Sequence, residues 1–339
     1  MLEKPIAITM GEPAGCGGEI TIKAWQKNRS NLPPFFMVDD FKRLEKLIQQ
    51  LKIDCNLKQI KEPSEAINIF ATALPIMQVN PSLSENIIPG KPNPLNSKSI
   101  ISSIDTAVYL ASNNLVKAVV TNPIFKAGLQ NSGFKYSGHT EYLGKLANTK
   151  ETPIMMLSSN SLKKNLRVIP ITTHIPHKDI SNALNENKII NISKRIYKYL
   201  SEDFGIKKPK IAIAALNPHA GENGKLGFEE IEIIIPALKK LNKLKINISG
   251  PYPADTLFHS ENREKFDAIL CMYHDQALIP LKTLDFYSSV NITLGLPFVR
   301  TSPDHGTAFD LSGTGKASPE SLISAIKVAN EIATIKKTN

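Results

Sequence analysis

The chain has 339 residues, of which 42% are apolar, and it carries a formal net charge of +10. This length exceeds the size at which one hydrophobic core usually stops growing, so two lobes are expected. No run of about twenty apolar residues exists to span a bilayer, and the first predicted strand begins at Ile6. The sequence therefore predicts no membrane contact and no signal peptide, and it favours a cytoplasmic protein.

The distribution of charged residues and cysteines excludes further classes of function. Lysines occur in scattered pairs, such as Lys163-Lys164 and Lys336-Lys337, without the interleaved aromatic side chains that stack on nucleotides. No nucleic-acid partner is therefore predicted, and the basic surface favours small anionic substrates. The cysteines form no C-x-x-C pair that would indicate a redox couple or a zinc knuckle, and they are predicted to be inert: Cys16, Cys55 and Cys271.

Strand and helix signals alternate along the whole chain. Short apolar runs, most of them rich in β-branched residues, predict buried strands at 6–10, 35–38, 118–121, 168–172, 211–216 and 268–272. Between them, apolar residues at helical spacing predict amphipathic helices through Leu44, Leu47, Ile48 and Leu51 and through Ile189, Ile192, Ile196 and Leu200. The last predicted helix has Ser318 as its N-cap, Pro319 at its first position and an apolar stripe of Leu322, Ile326 and Ala329. This alternation predicts an α/β fold with three α/β/α layers around a mostly parallel sheet.

A glycine-rich turn at residues 11–19 follows the first predicted strand and opens a helix. Such a turn can bring backbone N–H groups to an anion. It contains no lysine, which excludes a P-loop, and Ile20 stands where the dinucleotide fingerprint G-x-G-x-x-G would need glycine. A tight structural turn and a ligand-binding loop are equally compatible with this pattern.

Polar residues that suit an anion occur in two further places. His139 and Thr140 precede an apolar helical run, where helix N-terminal amides can bind an anion; in the alternative interpretation Thr140 caps the helix and His139 is incidental. Lys282, Asn291 and Arg300 flank a short apolar segment, and arginine can hold a carboxylate or phosphate by two hydrogen bonds at once. Taken singly, such lysines and arginines are more often surface charges.

Three histidines each stand where an apolar, strand-like run meets a polar turn: His174, His219 and His274. In α/β proteins the loops that leave one edge of the sheet converge on a shared crevice, so residues distant in sequence can meet there. Imidazole is the commonest protein ligand for divalent transition metals. One such histidine alone is best explained as a core or surface residue, but three in the same context favour a metal site.

Taken together, these segments resemble the 4-hydroxythreonine-4-phosphate dehydrogenase family of pyridoxal phosphate biosynthesis along nearly the whole chain. The resemblance rests on the glycine-rich turn, Thr121-Asn-Pro-Ile, Ser137-Gly-His-Thr-Glu141, Thr172-Thr-His174, Leu216-Asn-Pro-His-Ala-Gly-Glu222, Tyr252-Pro-Ala-Asp255, Tyr273-His-Asp-Gln276 and Thr301-Ser-Pro-Asp-His-Gly-Thr-Ala-Phe-Asp310. The family is related to the fold of isocitrate and isopropylmalate dehydrogenases, so the resemblance implies two lobes around a cleft.

The resemblance implies NAD-dependent oxidation of 4-(phosphooxy)-L-threonine at C3, followed by metal-assisted decarboxylation to 3-amino-2-oxopropyl phosphate. Asp255 matches an acidic residue near the metal, and the candidate proton acceptors are Asp255, His139 and a metal-bound hydroxide. The family's metal ligands fall on His174, His219 and His274, with zinc, magnesium, cobalt or manganese as the metal. Its substrate contacts fall on His139, Thr140, Lys282, Asn291 and Arg300. Its NAD site, with NADP as the alternative cofactor, falls on a segment similar to the adenosine-binding loop of isocitrate dehydrogenases, at Asp304, His305, Gly306 and Asp310.

The family also implies a homodimer whose active sites are completed between subunits, so the three histidines need not all serve one metal ion. Residues 1–130 plus 300–339 are expected to form a first lobe with the NAD segment. Residues 131–299 are expected to form a second lobe with the metal histidines and most substrate contacts. The segment 89–99, rich in proline, asparagine and serine, is predicted to be a long surface loop or a boundary between lobes or subunits.

Three positions depart from the usual family pattern: Glu12 replaces an aspartate, Gly18 a proline and Phe125 a polar residue. They affect the expected loop shape and cofactor contact, and none belongs to the predicted metal set. Two alternative functions stay open. One is a related dehydrogenase that acts on phosphorylated threonate or erythronate or on an aromatic dihydrodiol. The other is a non-catalytic metal- or anion-binding protein, which would keep the histidines but have no use for the NAD segment.

Overall fold

The structure, a computed structural model, describes residues 3–84, 86–136 and 138–338. Its strands are β1 (Ile6–Thr9), β2 (Phe35–Asp39), β3 (Leu57–Ile60), β4 (Leu74–Gln78), β5 (Ala118–Thr121), β6 (Ile154–Ser159), β7 (Leu166–Thr172), β8 (Ile211–Ala214), β9 (Ile248–Tyr252), β10 (Ala268–Tyr273), β11 (Val290–Leu294) and β12 (Arg300–Pro303).

The helices lie mostly between consecutive strands, as connections between parallel strands require. They are α1 (Gly17–Asn28), α2 (Phe41–Leu51), α3 (Glu65–Ile69), α4 (Ser97–Ser112), α5 (Lys126–Asn131), α6 (His139–Leu146), α7 (Ile180–Ala183), α8 (Glu186–Glu202), α9 (Ile235–Lys243), α10 (Ala254–Leu257), α11 (Ser260–Arg263), α12 (His274–Leu284) and α13 (Glu320–Thr338). A π-helical turn, Glu230–Ile234, leads into α9. Within the described part of the chain, no helix combines the length and the apolarity needed to cross a membrane.

The first compact unit comprises Met1–Pro153 and Val290–Thr334. Its strands follow the order β3-β4-β2-β1-β5-β12-β11, and neighbours are parallel except for the antiparallel pair of β11 and β12. Strands β1 and β5 are buried at every position, as expected for central strands that are covered on both faces. Their core residues include Ala7 and Val119, which lie in one cluster with Ile100 and Ile104 of α4.

The second compact unit comprises Ile154–Ser289 and Ile335–Asn339. Its strands follow the order β6-β7-β10-β8-β9, in which only the pair of β6 and β7 is antiparallel. Val168 of β7 and Ile269 of β10 share a core cluster with Ala277 and Leu281 of α12. Because β7, β10 and β8 are neighbouring parallel strands, their carboxyl ends lie at the same edge of the sheet.

The compact units divide the chain at other positions than the predicted lobes, because residues 131–153 and 290–299 group with the first unit. His139, Thr140 and Asn291 thus belong to the first unit. The lobe boundaries at residues 130 and 300 stay a prediction.

The predicted α/β class with a mostly parallel sheet is confirmed. All six predicted strands are present, with ends within two residues of the predicted positions, and the two amphipathic helices are α2 and α8. The last helix begins at Glu320, one residue later than predicted. The Ser318 Oγ accepts a hydrogen bond from the Glu320 N–H at 3.4 Å. The predicted stripe of Leu322, Ile326 and Ala329 is buried.

The prediction of an uninterrupted loop at residues 89–99 is wrong in its second half. A 3₁₀ turn spans Pro94–Asn96 and α4 begins at Ser97. The Asn93 side chain accepts a hydrogen bond from the Leu95 N–H at 3.0 Å. Asparagine, proline and serine suit the start of a helix as well as a loop, and composition alone did not separate the two cases.

Candidate functional site

The three predicted metal histidines follow the carboxyl ends of three neighbouring parallel strands in the second unit. His174 stands two residues after β7, His274 directly follows β10, and His219 stands five residues after β8. The strands lie in the order β7-β10-β8, so the sheet brings the three following segments to one edge. This is the edge at which parallel α/β sheets usually bind ligands.

His174 and His274 lie side by side. Their ring centroids are 5.6 Å apart. They line a hollow of about 150 Å³ together with Thr172, Ile175, His177, Ile180, Tyr273 and Asp275. His177, whose ring centroid lies 5.4 Å from that of Tyr273 in an edge-on contact, is a third imidazole in this hollow, and no sequence pattern indicated it.

The end of β10 is braced so that His274 is held firmly. The Nδ1 atom of His274 lies 2.7 Å from Oδ1 of Asp275, which leaves Nε2 as the ring atom for a ligand, as in many carboxylate–histidine metal sites. The Gln276 side chain accepts a hydrogen bond from the Met272 N–H and donates one to the Ala215 carbonyl, both at 2.7 Å. Gln276 thereby ties the start of α12 to the end of β8.

His219 lies in an unusual left-handed segment, residues 219–223, which we call the His219 turn. Its φ angles are +51°, +52°, +76°, +41° and +56°, and only Gly221 among the five is a glycine. Each non-glycine residue in this region costs about 1–2 kcal/mol, and such strain concentrates at functional sites. His174 also has a positive φ, +54°.

The structure does not bring His219 into the lining of the His174–His274 hollow. Within residues 3–84, 86–136 and 138–338, no three His, Cys, Asp or Glu side chains are grouped closely enough to hold a metal ion. The three-histidine set therefore stays a prediction. The pair of His174 and His274 does fit a transition metal, because two imidazoles face one hollow and one of them is oriented by a carboxylate.

Asp255 and Lys282 lie in the same unit as the histidines. Asp255 is exposed on α10 and lines a second, apolar hollow of about 420 Å³ that shares Tyr273 and Asp275 with the first. Lys282 is half-buried in the last turn of α12, with its Nζ 6.0 Å from the centre of the Phe286 ring.

Arg300 is the most constrained of the predicted anion contacts and lies in the first unit. It is only 3% exposed, and burial lowers its pKa to about 9. Its two terminal nitrogens donate to threonine hydroxyls, Nη1 to Thr293 at 2.7 Å and Nη2 to Thr121 at 2.5 Å. Its Nε has no partner among the described residues. A buried guanidinium held by neutral groups, with an N–H left over, fits an anionic ligand.

His139, Thr140 and Asn291 occupy the same unit. α6 begins at His139, so Thr140 lies inside its first turn and is not the helix cap. Burial, reinforced by the positive charges of Arg300 and Lys126, holds the pKa of His139 well below its usual value. The Nε2 of His139 and the Oδ1 of Asn291 are buried and have no partner among the described residues. No sequence pattern indicated that Lys126 lies close enough to His139 to affect its pKa.

The predicted NAD segment is also in the first unit. The Asp304 N–H donates to Ser321 Oγ at 3.0 Å, and the half-buried His305 keeps a buried Nε2 without a partner among the described residues. A Cβ built on Gly306 would meet nothing within 4 Å. Open space beside an unpaired buried imidazole nitrogen fits a bound ligand. Phe125, which replaces the polar residue usual in the family, packs edge-on against Phe309, with the ring centroids 5.3 Å apart.

The glycine-rich turn is held by backbone hydrogen bonds. The N–H groups of Glu12, Gly15 and Cys16 donate to carbonyls of Pro123, Glu12 and Thr307, and the whole turn is buried. Gly11 has a φ of +72°, and a Cβ there would lie 2.6 Å from the Pro123 carbonyl oxygen. All three cysteines are buried and free, and burial raises the pKa of the Cys16 thiol to about 11. Their inertness stays a prediction.

Comparison with known proteins gives a consistent match. The family model "Pyridoxal phosphate biosynthetic protein PdxA" matches residues 31–329. A 4-hydroxythreonine-4-phosphate dehydrogenase of Caulobacter vibrioides is 46% identical over 98% of both chains, and one of Bradyrhizobium diazoefficiens is 44% identical, again over 98% of both. The crystal structure of the enzyme of that name from Klebsiella pneumoniae superposes with a TM-score of 0.84 at 36% identity, over 98% of this chain and 100% of that one.

Proposed function

Because the chain belongs to the PdxA family of pyridoxal phosphate biosynthetic proteins, we propose that it is a 4-hydroxythreonine-4-phosphate dehydrogenase. Its reaction is the NAD-dependent oxidation of 4-(phosphooxy)-L-threonine at C3, followed by decarboxylation to 3-amino-2-oxopropyl phosphate. The observation that carries the proposal is the placement of His174, His219 and His274 after three neighbouring parallel strands, in a chain 46% identical to an enzyme of this name.

His174 and His274 hold the divalent metal, with His219 as the third ligand. When bound, the metal polarises the substrate hydroxyl and stabilises negative charge beside the carboxylate that is lost. Asp275 fixes which nitrogen of His274 is available. An all-imidazole set favours zinc, and cobalt, manganese and magnesium are the alternatives. Elemental analysis of protein purified without chelators identifies the native metal.

Arg300, Asn291, His139, Thr140 and Lys282 bind the anionic groups of the substrate. Arg300 is held rigidly by its two threonines, so its guanidinium meets phosphate or carboxylate without reorganisation. The unpaired Nε of Arg300 and Nε2 of His139 are suited to this contact, because each lacks a protein partner among the described residues.

Asp255 accepts the proton of the substrate hydroxyl. Among the alternatives to Asp255, a metal-bound hydroxide stays open, whereas His139 is a poor base because its pKa is held well below its usual value by burial and by the charges of Arg300 and Lys126. His139 serves instead as a neutral hydrogen-bonding contact of the substrate anion.

NAD binds at Asp304, His305, Gly306 and Asp310 and supplies the hydride acceptor, with NADP as the alternative. The buried Nε2 of His305 and the open space at Gly306 support this assignment. The functional unit is a homodimer with active sites shared between subunits. Exposed apolar side chains on α12 support a subunit contact there, since Ile279 is 64% and Leu284 39% exposed beside the second hollow.

Replacing each histidine in turn tests the metal assignment. His174→Ala, His219→Ala and His274→Ala should each abolish NADH formation and weaken Co²⁺ binding in titration calorimetry, while thermal unfolding of the metal-free proteins stays close to wild type. His259→Ala, an exposed histidine of the same unit, serves as the control. An active variant with wild-type metal content would contradict the three-histidine site.

A further inference from the structure

The segment that leads into the His219 turn is held by a buried carboxylate. Glu230 is only 1% exposed and begins the π-helical turn that precedes α9. Its Oε1 accepts hydrogen bonds from the N–H groups of Leu216 and Asn217, at 2.8 and 2.9 Å. Its Oε2 accepts one from Asn217 Nδ2, also at 2.9 Å. All three bonds reach Leu216 and Asn217, the last two residues before the Pro218-His219 pair.

The neighbouring Glu229 reinforces this arrangement. The Asn217 side chain also donates to Glu229 Oε2 at 2.7 Å. Glu229 Oε1 accepts a hydrogen bond from Ser181 Oγ at 2.5 Å, which links the assembly to α7. Asn217 is therefore held by two carboxylates, two residues before the strained segment begins at His219.

Two glycines make room for the carboxylates. Gly221 lies in the His219 turn itself, and a Cβ there would come within 2.6 Å of Glu230 Oε2. A Cβ on Gly227 would come within 2.4 Å of Asn217 Nδ2. The turn therefore packs directly on Glu230, and its left-handed backbone and the carboxylate depend on each other.

We propose that Glu230 is a positioning residue for His219: its buried carboxylate holds the His219 turn in its left-handed conformation and so fixes the backbone from which the imidazole projects. The inference rests on the proposed function in one respect, that His219 is a metal ligand. A strained turn with four non-glycine residues at positive φ persists only where surrounding contacts over-determine it. Glu230 contributes such contacts on two sides, by its hydrogen bonds to Leu216 and Asn217 before the turn and by its packing against Gly221 within it. Outer groups of this kind orient the direct ligands of metal sites.

Glu230→Gln is the direct test. It keeps the size of the side chain but places an amide NH₂ against the Asn217 NH₂, so that two donors face each other and this hydrogen bond is lost. Co²⁺ binding to the full-length protein, followed by calorimetry and by the visible absorption spectrum of the ion, should weaken about ten- to hundredfold with an altered spectrum. Asp203→Asn removes another buried carboxylate of the same unit, 5% exposed, and should leave both readouts unchanged. Wild-type affinity and spectrum in Glu230→Gln would overturn the proposal.

A pair of glycine variants tests the same contact without altering Glu230. Gly221→Ala and Gly205→Ala both place a Cβ at positive φ, +76° and +66°, but only the former collides with Glu230, whereas Gly205 has a single neighbour at 3.7 Å. Weaker Co²⁺ binding in Gly221→Ala than in Gly205→Ala is expected, and equal binding would count against the proposal.

His219→Ala separates this inference from the proposed function. If His219→Ala weakens Co²⁺ binding and neither Glu230→Gln nor Gly221→Ala does, the positioning role fails while the metal site stands. If His219→Ala itself binds Co²⁺ as wild type, the three-histidine site fails and the positioning role with it.

Discussion

At the scale of single residues, the buried charge of Arg300 depends on two threonine hydroxyls. Thr121→Val and Thr293→Val keep the side-chain shape and each remove one hydrogen bond to a charged group, which should lower the free energy of unfolding by about 1.5–3 kcal/mol. Each should also raise the KM for the phosphorylated substrate more than it lowers kcat, because the guanidinium loses its fixed orientation. Urea unfolding and steady-state kinetics measure the two effects.

Thr301→Val is the matched control for these variants. Thr301 lies on the same strand as Arg300, is fully buried and donates its hydroxyl to the Ala325 carbonyl at 2.8 Å. It should lose about 1 kcal/mol of stability, as for a neutral hydrogen bond, and keep the wild-type KM. A KM effect as large as that of Thr121→Val would show that the arginine is not the cause.

His139 gives the protein a specific dependence on pH. Its pKa in the folded state lies below the usual value near 6.5, so the unfolded chain takes up a proton in a range where the folded protein does not. Stability should therefore fall as the pH is lowered through this range. In urea titrations between about pH 7.5 and 5, wild type should lose more stability than His139→Asn. Parallel losses in the two proteins would refute this effect.

At the scale of secondary-structure elements, two i,i+4 ion pairs should behave very differently. Arg43 and Asp39 are 6% and 0% exposed and meet at 2.6 Å, and Arg43 also donates to the Pro13 carbonyl of the glycine-rich turn. Arg43→Met leaves a buried carboxylate uncompensated and should cost about 3–5 kcal/mol.

The exposed pair of Lys198 and Glu202 on α8, 3.9 Å apart, is the natural comparison. Lys198→Met should change the free energy of unfolding by at most about 0.5 kcal/mol. Calorimetric unfolding of Arg43→Met and Lys198→Met measures the two losses of stability. Equal losses would show that burial does not strengthen the Arg43–Asp39 pair.

Elements were predictable from the sequence where their pattern was strong. The six predicted strands are short apolar runs, whereas missed strands such as β3 and β9 are partly exposed and contain polar residues, glycine or proline. The strand-end histidines were found because each follows a clear strand. The role of Gln276 could not be predicted, because its partner, the Ala215 carbonyl, lies 61 residues away in the sequence. Glu230 had no local signal either, since its function depends on the packing of the π-helical turn against the His219 turn.

At the scale of the whole molecule, the proposed sharing of active sites between subunits leads to a mixing experiment. His219→Ala and His274→Ala should each be inactive alone. If one subunit supplies His219 to the site that contains His274 of the other, refolding the two variants together restores part of the activity. Each variant refolded with itself is the control. Continued inactivity of a verified mixed dimer would place both histidines in the same subunit's site.

The proposed substrate of this chain is 4-(phosphooxy)-L-threonine. The most direct measurement mixes the purified protein with NAD, a divalent metal and this substrate, follows the absorbance of NADH, and identifies the product by mass spectrometry. The expected result is NADH formation with 3-amino-2-oxopropyl phosphate as the product, and loss of activity on addition of a chelator. Faster oxidation of 4-phosphothreonate or 4-phosphoerythronate, or no NADH from any of the three, would show that 4-(phosphooxy)-L-threonine is not the substrate.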